Sequence, residues 1–293
     1  MPKLLRLDEE RLGKLYLKDK LSSFAIAKIL RCSASHVRDS LHEYSIKTRT
    51  IQEAKALTKP RYKRVDFSGD PEEKAYLIGF RIGDLHISKT HPNSPTIRIS
   101  TNTTKEEQRT LFKELFSKYG HVKQYNVDKN GATSIRAFVN NSFGFLLEKN
   151  DKVADWILQK NTYFLNFLAG YVDAEGSFCI YNGYDGVFSI RSQDKNILWS
   201  IYAKLREKGI LCKPPKLVWP AGEIRQNIRN NKDAWGLFVY RKDSLIELIK
   251  LLKPLVRHGK RFKNMLLVEQ NVKDRNRKYN FRKDSRWLKT YKT

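Results

Sequence analysis

Two carboxylates, Asp84 and Glu175, stand 91 positions apart in a chain of 293 residues, and each closes the same kind of segment. Ala75-Tyr76-Leu77-Ile78-Gly79-Phe80-Arg81-Ile82-Gly83-Asp84-Leu85 matches Asn166-Phe167-Leu168-Ala169-Gly170-Tyr171-Val172-Asp173-Ala174-Glu175-Gly176 in register. In both, a small residue is followed by three others, a second small residue and the acid. The pairs are Gly79 and Gly83 before Asp84, and Gly170 and Ala174 before Glu175. Small residues at i and i+4 share one helix face and let two backbones approach closely, in lipid or in water. Packing the segments about a pseudo-twofold axis therefore sets the two acids side by side at the helix ends. Adjacent carboxylates repel unless a cation lies between them. Hard oxygen ligands suit Mg²⁺. A divalent cation beside a phosphate activates water and stabilises the leaving oxygen, the chemistry of phosphodiester hydrolysis.

The elements around the acids repeat as well. His86-Ile87-Ser88 and Thr96-Ile97-Arg98-Ile99-Ser100-Thr101 follow the first acid. Ser177-Phe178-Cys179-Ile180 and Val187-Phe188-Ser189-Ile190-Arg191-Ser192 follow the second. The longer runs alternate apolar with polar, as strands with one wet face do. An amphipathic helix comes next in each half, carrying Leu111, Phe112, Leu115 and Phe116, or Ile197, Leu198, Ile201, Tyr202 and Leu205. Two further strands are expected per half, at 121–127 and 133–139 and at 211–218 and 235–241, with closing helices at 142–158 and 243–271. Each half thus reads α-β-β-α-β-β-α. The fold class is α+β: two pseudo-twofold-related repeats, 72–162 and 163–271, whose wet sheet faces form one basic saddle.

Ahead of the repeats, residues 8–44 read as three short helices, with Ser33 as an N-cap and Ile26, Leu30, Val37 and Leu41 in the core. This looks like a helix-turn-helix in a small all-α domain, 1–46, although Arg31 stands where glycine is common at the turn. It would present Ser35, His36 and Arg38 to DNA; a generic three-helix bundle is the alternative. Between 47 and 64 seven basic residues face one acid, Glu53. With Pro60 breaking any helix, the segment 47–71 is expected to be a linker, either tracking a phosphate backbone through Lys59, Arg61, Lys63 and Arg64 or serving as a tether. The tail 272–293 interleaves basic residues with Tyr279, Phe281, Trp287 and Tyr291, and clamps DNA or stays free.

The net charge of +26 calls for a polyanionic partner, while 40% hydrophobic residues allow a real core and exclude a disordered polycation. No apolar run is long enough for a membrane span. The start lacks a signal-peptide core. Cys32, Cys179 and Cys212 are isolated, as in a reducing compartment. An intracellular monomer without membrane or obligate protein partner is expected. The order of Ser, His and Asp residues suggests no catalytic triad, and no phosphate-cradling glycine loop is present.

The duplicated motif resembles that of the LAGLIDADG homing endonuclease family in its single-chain, two-repeat form. Leu168–Gly176 fits closely; Leu77–Leu85 fits less well, with Leu85 in place of the terminal glycine. The resemblance covers about residues 70–271. It implies a metal-dependent double-strand break in a long asymmetric DNA site, made across the minor groove and leaving short 3′ overhangs. The eighth motif position then supplies the metal-binding acids Asp84 and Glu175, with Gly83 and Ala174 beside them as further contacts to two or three Mg²⁺ or other divalent ions. Asp173, the sixth position, is implied to be structural. From Pro254–Arg261 the resemblance selects Lys260, to polarise bound water or simply to contact phosphate, with no counterpart identified in the first half. Thr101 or Asn102 and Ser192 or Gln193 are expected near the site, and His86 lies two residues beyond Asp84.

DNA reading then falls to residues alternating with the core: Thr96, Arg98, Ser100 and Asn102, and Ser189, Arg191 and Gln193. Arginine reads guanine with two hydrogen bonds, which makes Arg98 and Arg191 the discriminating members. Lys123, Tyr125, Arg136, Lys213, Lys216 and Arg241 are further contacts, and Arg225 and Arg229 lie on a long hairpin loop, 219–234. Two other activities use such a scaffold: an intron RNA maturase, and a DNA-binding regulator that has lost catalysis. Both acids being present favours cleavage.

Overall fold

The structure is a computed structural model that describes residues 6–57 and 62–279. Lys59, Arg61 and residues 280–293 of the expected tail lie outside the described residues. Contacts group the chain into two compact units, Met1–Lys63 with Lys89–Ile97, and Arg64–Ser88 with Arg98–Thr293.

In the first unit, α1 (Glu9–Gly13) runs into a π-helical turn, Lys14–Lys18, and is followed by α2 (Ser23–Leu30) and α3 (Ala34–Glu43). Serines cap the last two: Ser22 Oγ accepts from Ala25 N, and Ser33 Oγ from His36 N at 3.1 Å. Arg31 closes α2 in the left-handed region (φ 52), the conformation for which glycine is the usual residue. Leu12, Tyr16, Ile26, Ala27, Val37 and Leu41 form the core, with Leu30 packed against it. Ser35 and Arg38 are exposed on the first turn of α3, and His36 is half-buried.

The expected open linker is partly built in. The Arg49 guanidinium lies 3.9 Å over the Tyr16 ring and donates to the carbonyls of Tyr16, Lys20 and Leu21. Thr50 and Glu53 then cap each other at the start of α4 (Ile51–Ala56), a reciprocal capping box. A basic residue in a poor core window therefore serves the fold here, because the carbonyls that end the π-helical turn need donors.

In the second unit the first repeat runs α5 (Pro71–Asp84), β1 (His86–Lys89), β2 (Ile97–Thr103), α6 (Glu106–Phe116), β3 (His121–Val127) and β4 (Thr133–Val139). A 3₁₀ turn, Asn141–Leu146, and α7 (Asp155–Gln159) close it. The second repeat runs α8 (Asn161–Glu175), β5 (Gly176–Tyr181), β6 (Asp185–Ser192), α9 (Lys195–Glu207), β7 (Lys216–Trp219), a small hairpin of β8 (Ile224–Arg225) and β9 (Ile228–Arg229), β10 (Ala234–Val239), α10 (Lys242–Leu252) and α11 (Gly259–Tyr279). The two four-stranded sheets have the same order, β1-β2-β4-β3 and β5-β6-β10-β7, so the duplication read from the sequence is a duplication of topology.

Several boundaries differ from expectation. The helix expected at 142–158 is a 3₁₀ turn, a loop and a short helix, and the loop is pinned because Asp151 accepts from the backbone N–H groups of Asn196 and Ile197 at the start of α9. The helix expected at 243–271 breaks at Pro254, which cannot continue the ladder. The strand expected from 211 starts at Lys216, since Pro214 and Pro215 cannot donate to a sheet; Lys213 thus lies in a loop. Arg241 stands past the end of β10 as the residue preceding α10.

Helices α5 and α8 pack backbone to backbone. A Cβ on Gly79 would fall 2.1 Å from the Phe167 carbonyl oxygen, and one on Gly170 would fall 2.0 Å from the Tyr76 carbonyl oxygen. Phe167 and Tyr76 are themselves 91 positions apart, as are Gly79 and Gly170, so these contacts are mates across a pseudo-twofold axis. Further along, a Cβ on Gly83 would meet the Cβ of Ala174 at 2.4 Å. Carbonyl oxygens cannot yield as a side-chain end can, so Gly170→Ala is expected to cost at least about 2–3 kcal/mol, the upper range for overpacking. Gly144→Ala, which meets nothing within 4 Å, is the control. Urea unfolding of the two variants checks it: equal midpoints would rule out the close approach.

Candidate functional site

Asp84 is the last residue of α5 and Glu175 the last of α8, so the packing that brings the glycines together also brings the acids together. A Cβ on Gly83 would lie 3.2 Å from the Glu175 Oε1, which places that carboxylate over the backbone next to Asp84. Both acids hold their protons more tightly than ordinary carboxylates. Burial raises Asp84, opposed by a hydrogen bond from Gln108 and by the Arg261 charge. Burial, then repulsion from Asp84 and Asp194, pushes Glu175 up to about 7, with Lys149 and Arg261 pulling the other way.

Asp173 explains how the basic groups reach the acids. Its carboxylate is fully buried between the repeats, accepting from the Tyr76 hydroxyl at 2.6 Å and from the Arg257 backbone N–H at 2.8 Å. The Arg257 guanidinium also lies 4.1 Å over the Tyr76 ring. Despite these bonds burial holds Asp173 at about 6. The bonds fix the chain between α10 and α11, and so fix Arg261 in the first turn of α11, where it donates to the Ala174 carbonyl at 3.3 Å. The expectation that Asp173 is structural agrees with this geometry. The carbonyl of Ala174, one of the two residues expected to add contacts beside the acids, is thus already engaged by Arg261.

Two clefts open onto Asp84. One, of about 210 Å³, is lined by Thr101, Asn102, Thr103, Lys105, Gln108, His258, Lys260 and Arg261. The other, of about 460 Å³, runs along the first sheet past His86, Arg98, Ser100, Asn102, Ser134 and Arg136. Lys260 and Asn102 therefore stand where the sequence put them, beside Asp84. Gln108, whose Nε2 donates to Asp84 Oδ2 at 2.8 Å, is absent from the sequence reading, as is Lys149, while Arg261 and His258 lie in the segment from which Lys260 alone is chosen. Gln108 could have been found: it precedes Leu111, Phe112 and Leu115 at i+3, i+4 and i+7, so it is a polar residue on an apolar stripe. The exposed Lys149, whose charge acts on Glu175, occupies the first-half region for which the sequence offered no counterpart to Lys260.

The residues expected to read DNA fall into two groups, those held by neighbouring side chains or backbone and those exposed. Arg98 donates twice to Ser88 Oγ, at 3.2 and 3.0 Å, Ser100 to the His86 carbonyl, and Arg136 Nε to Ser134 Oγ. Arg191, Gln193, Lys123, Lys213, Lys216 and Arg229 are exposed, and Tyr125 is partly so. Ser189 is a correction: it is 8% exposed, because it sits on a central strand opposite Phe238. Thr96 precedes β2 and is held by Ser94. Arg225 is tied to Glu223, the Val218 carbonyl and the Trp219 ring, and Arg241 to Asp243 by two bonds. Lys63 is exposed and Arg64 half-buried.

The donor set of the two acids fits a divalent cation. Their oxygens are hard donors, and the Asp84 charge destabilises the ionised form of Glu175. Among the described residues no group of three or more His, Cys, Asp and Glu assembles. Two carboxylates suit a hard divalent ion that keeps several of its waters. Among the described residues no helix is long and apolar enough to cross a membrane.

No protein-family model matches the sequence, and no curated protein does. Among solved structures the chain is similar to the homing endonuclease I-WcaI bound to its DNA recognition sequence, at 16% identity and TM-score 0.48, covering 66% of this chain and 86% of that one. It is also similar to I-DmoI in complex with DNA and Mn, at 17% identity and TM-score 0.44 over 62% and 97% of the two chains. A third is the LAGLIDADG homing endonuclease I-GzeII in complex with its DNA target, at 12% identity and TM-score 0.43 over 73% and 94%. At such low identity no residue role is carried over from them.

The shift at Glu175 has a signed consequence. Its folded pKa of about 7 lies above the ordinary 4.5, so between these values the folded chain binds more protons than the unfolded one. Stability without divalent ions therefore falls as pH rises through that window. The melting temperature is expected to drop from pH 5 to pH 8, and Glu175→Gln to flatten the drop. Mg²⁺ at pH 8 should raise the wild-type melting temperature more than that of the variant. A variant with the wild-type slope would remove Glu175 as its source.

Proposed function

We propose that the chain is a site-specific DNA endonuclease that cuts both strands of a long duplex site with a divalent ion, Mg²⁺ in the first instance. The observation that carries the reading is the pair of mutually repelling carboxylates at the ends of α5 and α8, set between two repeated sheets whose polar faces carry arginine and lysine. Hydrolysis of a phosphodiester needs charge neutralisation at a phosphate and a nucleophilic water. A bound divalent ion supplies both, by lowering the pKa of its water and by stabilising the leaving oxygen.

Asp84 and Glu175 would hold that ion. Gln108 keeps one Asp84 oxygen oriented through its amide, which leaves the other free to turn to the cleft. Arg261, whose charge acts on both acids, and Lys260 at the mouth of the same cleft would offset the phosphate charge that arrives with DNA. Lys149 would do so on the Glu175 side. The strand cations would fix register by phosphate contacts and preference by base edges. The exposed first turn of α3, with Ser35 and Arg38, supports a second DNA contact from the N-terminal unit.

Asp84→Asn and Glu175→Gln are each expected to abolish double-strand cleavage while DNA affinity stays within a few-fold. Incubating a randomised duplex library with Mg²⁺ and sequencing the ends gives the site and the rate; either variant cutting both strands at the wild-type rate would refute the metal assignment. Arg38→Glu should weaken binding and shorten the protected footprint without moving the cut. An unchanged footprint would take the first unit off the DNA.

A further inference from the structure

The geometry points to Phe238 and Tyr125 as positioning residues that aim the cations beside them, and so set base preference over two short stretches of the DNA site. The inference rests on the reading of this surface as a DNA-reading one.

On the second sheet, Gly236 of β10 has Arg191 of β6 as its cross-strand neighbour on one side and Lys216 of β7 on the other. A Cβ on Gly236 would fall 2.6 Å from the Phe238 ring and 2.8 Å from the Val218 side chain. The Phe238 ring therefore occupies the space that the missing side chain leaves, between the two cations. The Arg191 guanidinium lies 5.8 Å from its centroid and the Lys216 ammonium 5.3 Å. Tyr240 stacks on the ring at 5.7 Å with an interplanar angle of 9°, which holds it in place.

The first sheet repeats the device with different residues. Lys123 of β3 and Arg136 of β4 are cross-strand partners, and the Tyr125 ring lies 4.9 Å from the Lys123 ammonium and 4.4 Å from the Arg136 guanidinium. Each sheet thus carries one ring that gathers two cations, from adjacent strands in the first sheet and from the two strands flanking β10 in the second. Long cationic side chains lose rotamer freedom when they engage a base, and two-point recognition demands a set direction. A ring that already restricts the side chain lowers that cost for one heading and not for others. The effect is on discrimination, because the charge available to the phosphates is unchanged.

The test uses the full chain with Ca²⁺ replacing Mg²⁺, so that binding is read without relying on cleavage. A randomised duplex library is bound, and the retained sequences are counted for wild type, Phe238→Leu, Phe238→Tyr, Tyr125→Leu and Tyr125→Phe. Each leucine variant should lose base preference over one contiguous stretch by roughly two- to fivefold, the size of one exposed cation–ring contact. Affinity for a scrambled duplex and its salt slope should hold for the Phe238 variants, and the aromatic replacements should keep the preference. Phe238→Leu should add little once Arg191 and Lys216 are alanine, the non-additivity of coupled neighbours. The proposal falls if the folded leucine variants keep the full preference, if they lose affinity equally on every sequence, or if they lose single-stranded DNA more than duplex, which would make the rings stacking platforms. Should Phe238→Leu fail to fold by circular dichroism, Tyr125→Leu carries the same test on the other sheet. A wild type with no base preference at all would overturn the DNA-reading assignment itself, and this inference with it; a wild type with preference and leucine variants indistinguishable from it overturns the inference alone.

Discussion

The contact that everything else in the second unit depends on is the approach of two glycines to two carbonyl oxygens. Gly79 lies against the Phe167 carbonyl and Gly170 against the Tyr76 carbonyl, and a single further carbon at either position would force the backbones apart. Such a contact fixes distance, because the backbones cannot separate without leaving a void, and it fixes register, because a slide would bring a side chain onto an oxygen. The register decides where the helices end together, and both end on an acid. Two carboxylates that repel each other are an unfavourable product of folding. They persist because apolar burial along α5 and α8, from Leu77 and Phe80 to Phe164 and Leu168, outweighs their repulsion.

The axis is symmetric and its chemistry is not. Tyr76 donates to Asp173, whereas their mates by the 91-residue offset, Phe167 and Ile82, have no polar group to exchange. Asp84 receives an amide from Gln108, while Glu175 faces a third acid, Asp194, which itself accepts from Tyr171 and Ser192. Two acids that began as copies therefore sit in unlike fields, with Glu175 the more reluctant to ionise alone. A single chain with two repeats is free to diverge in this way, and under the proposed function that divergence would suit a duplex without twofold symmetry in its sequence.

Much of this was legible in the sequence because it follows from spacing. The repeat, the small-residue pairs, the acids and the order of strands are periodic features, and periodicity survives without coordinates. What was missed depends on fields and on termini. Arg261 is one place from the residue chosen, Lys260, and the choice between them turns on how α11 starts, which Asp173 sets through the Arg257 amide. Ser189 alternates correctly along β6, yet its cross-strand partner Phe238 covers it, and no single-strand pattern reveals a neighbour. Arg49 lies in the basic run 47–64, but the carbonyls of Tyr16, Lys20 and Leu21 claim it. The closing helices were overextended where Pro254 and the Asp151 cap interrupt them.

The net charge of +26 takes on a different meaning when it is divided by what each cation touches. Arg49 is used inside the first unit, and Arg225 and Arg241 are paired with nearby acids. On the sheets, Arg98 and Arg136 rest on serine hydroxyls and Arg191 and Lys216 beside a ring. These last interactions leave the charge intact but restrict its direction. An unrestrained cation raises affinity for any polyanion, with a steep dependence on salt. A directed one raises affinity for one arrangement of acceptors above the rest. Under the proposed function the excess charge would attract a phosphate backbone, and the hydroxyls and rings beneath the strand cations would let a surface so basic prefer one sequence over another.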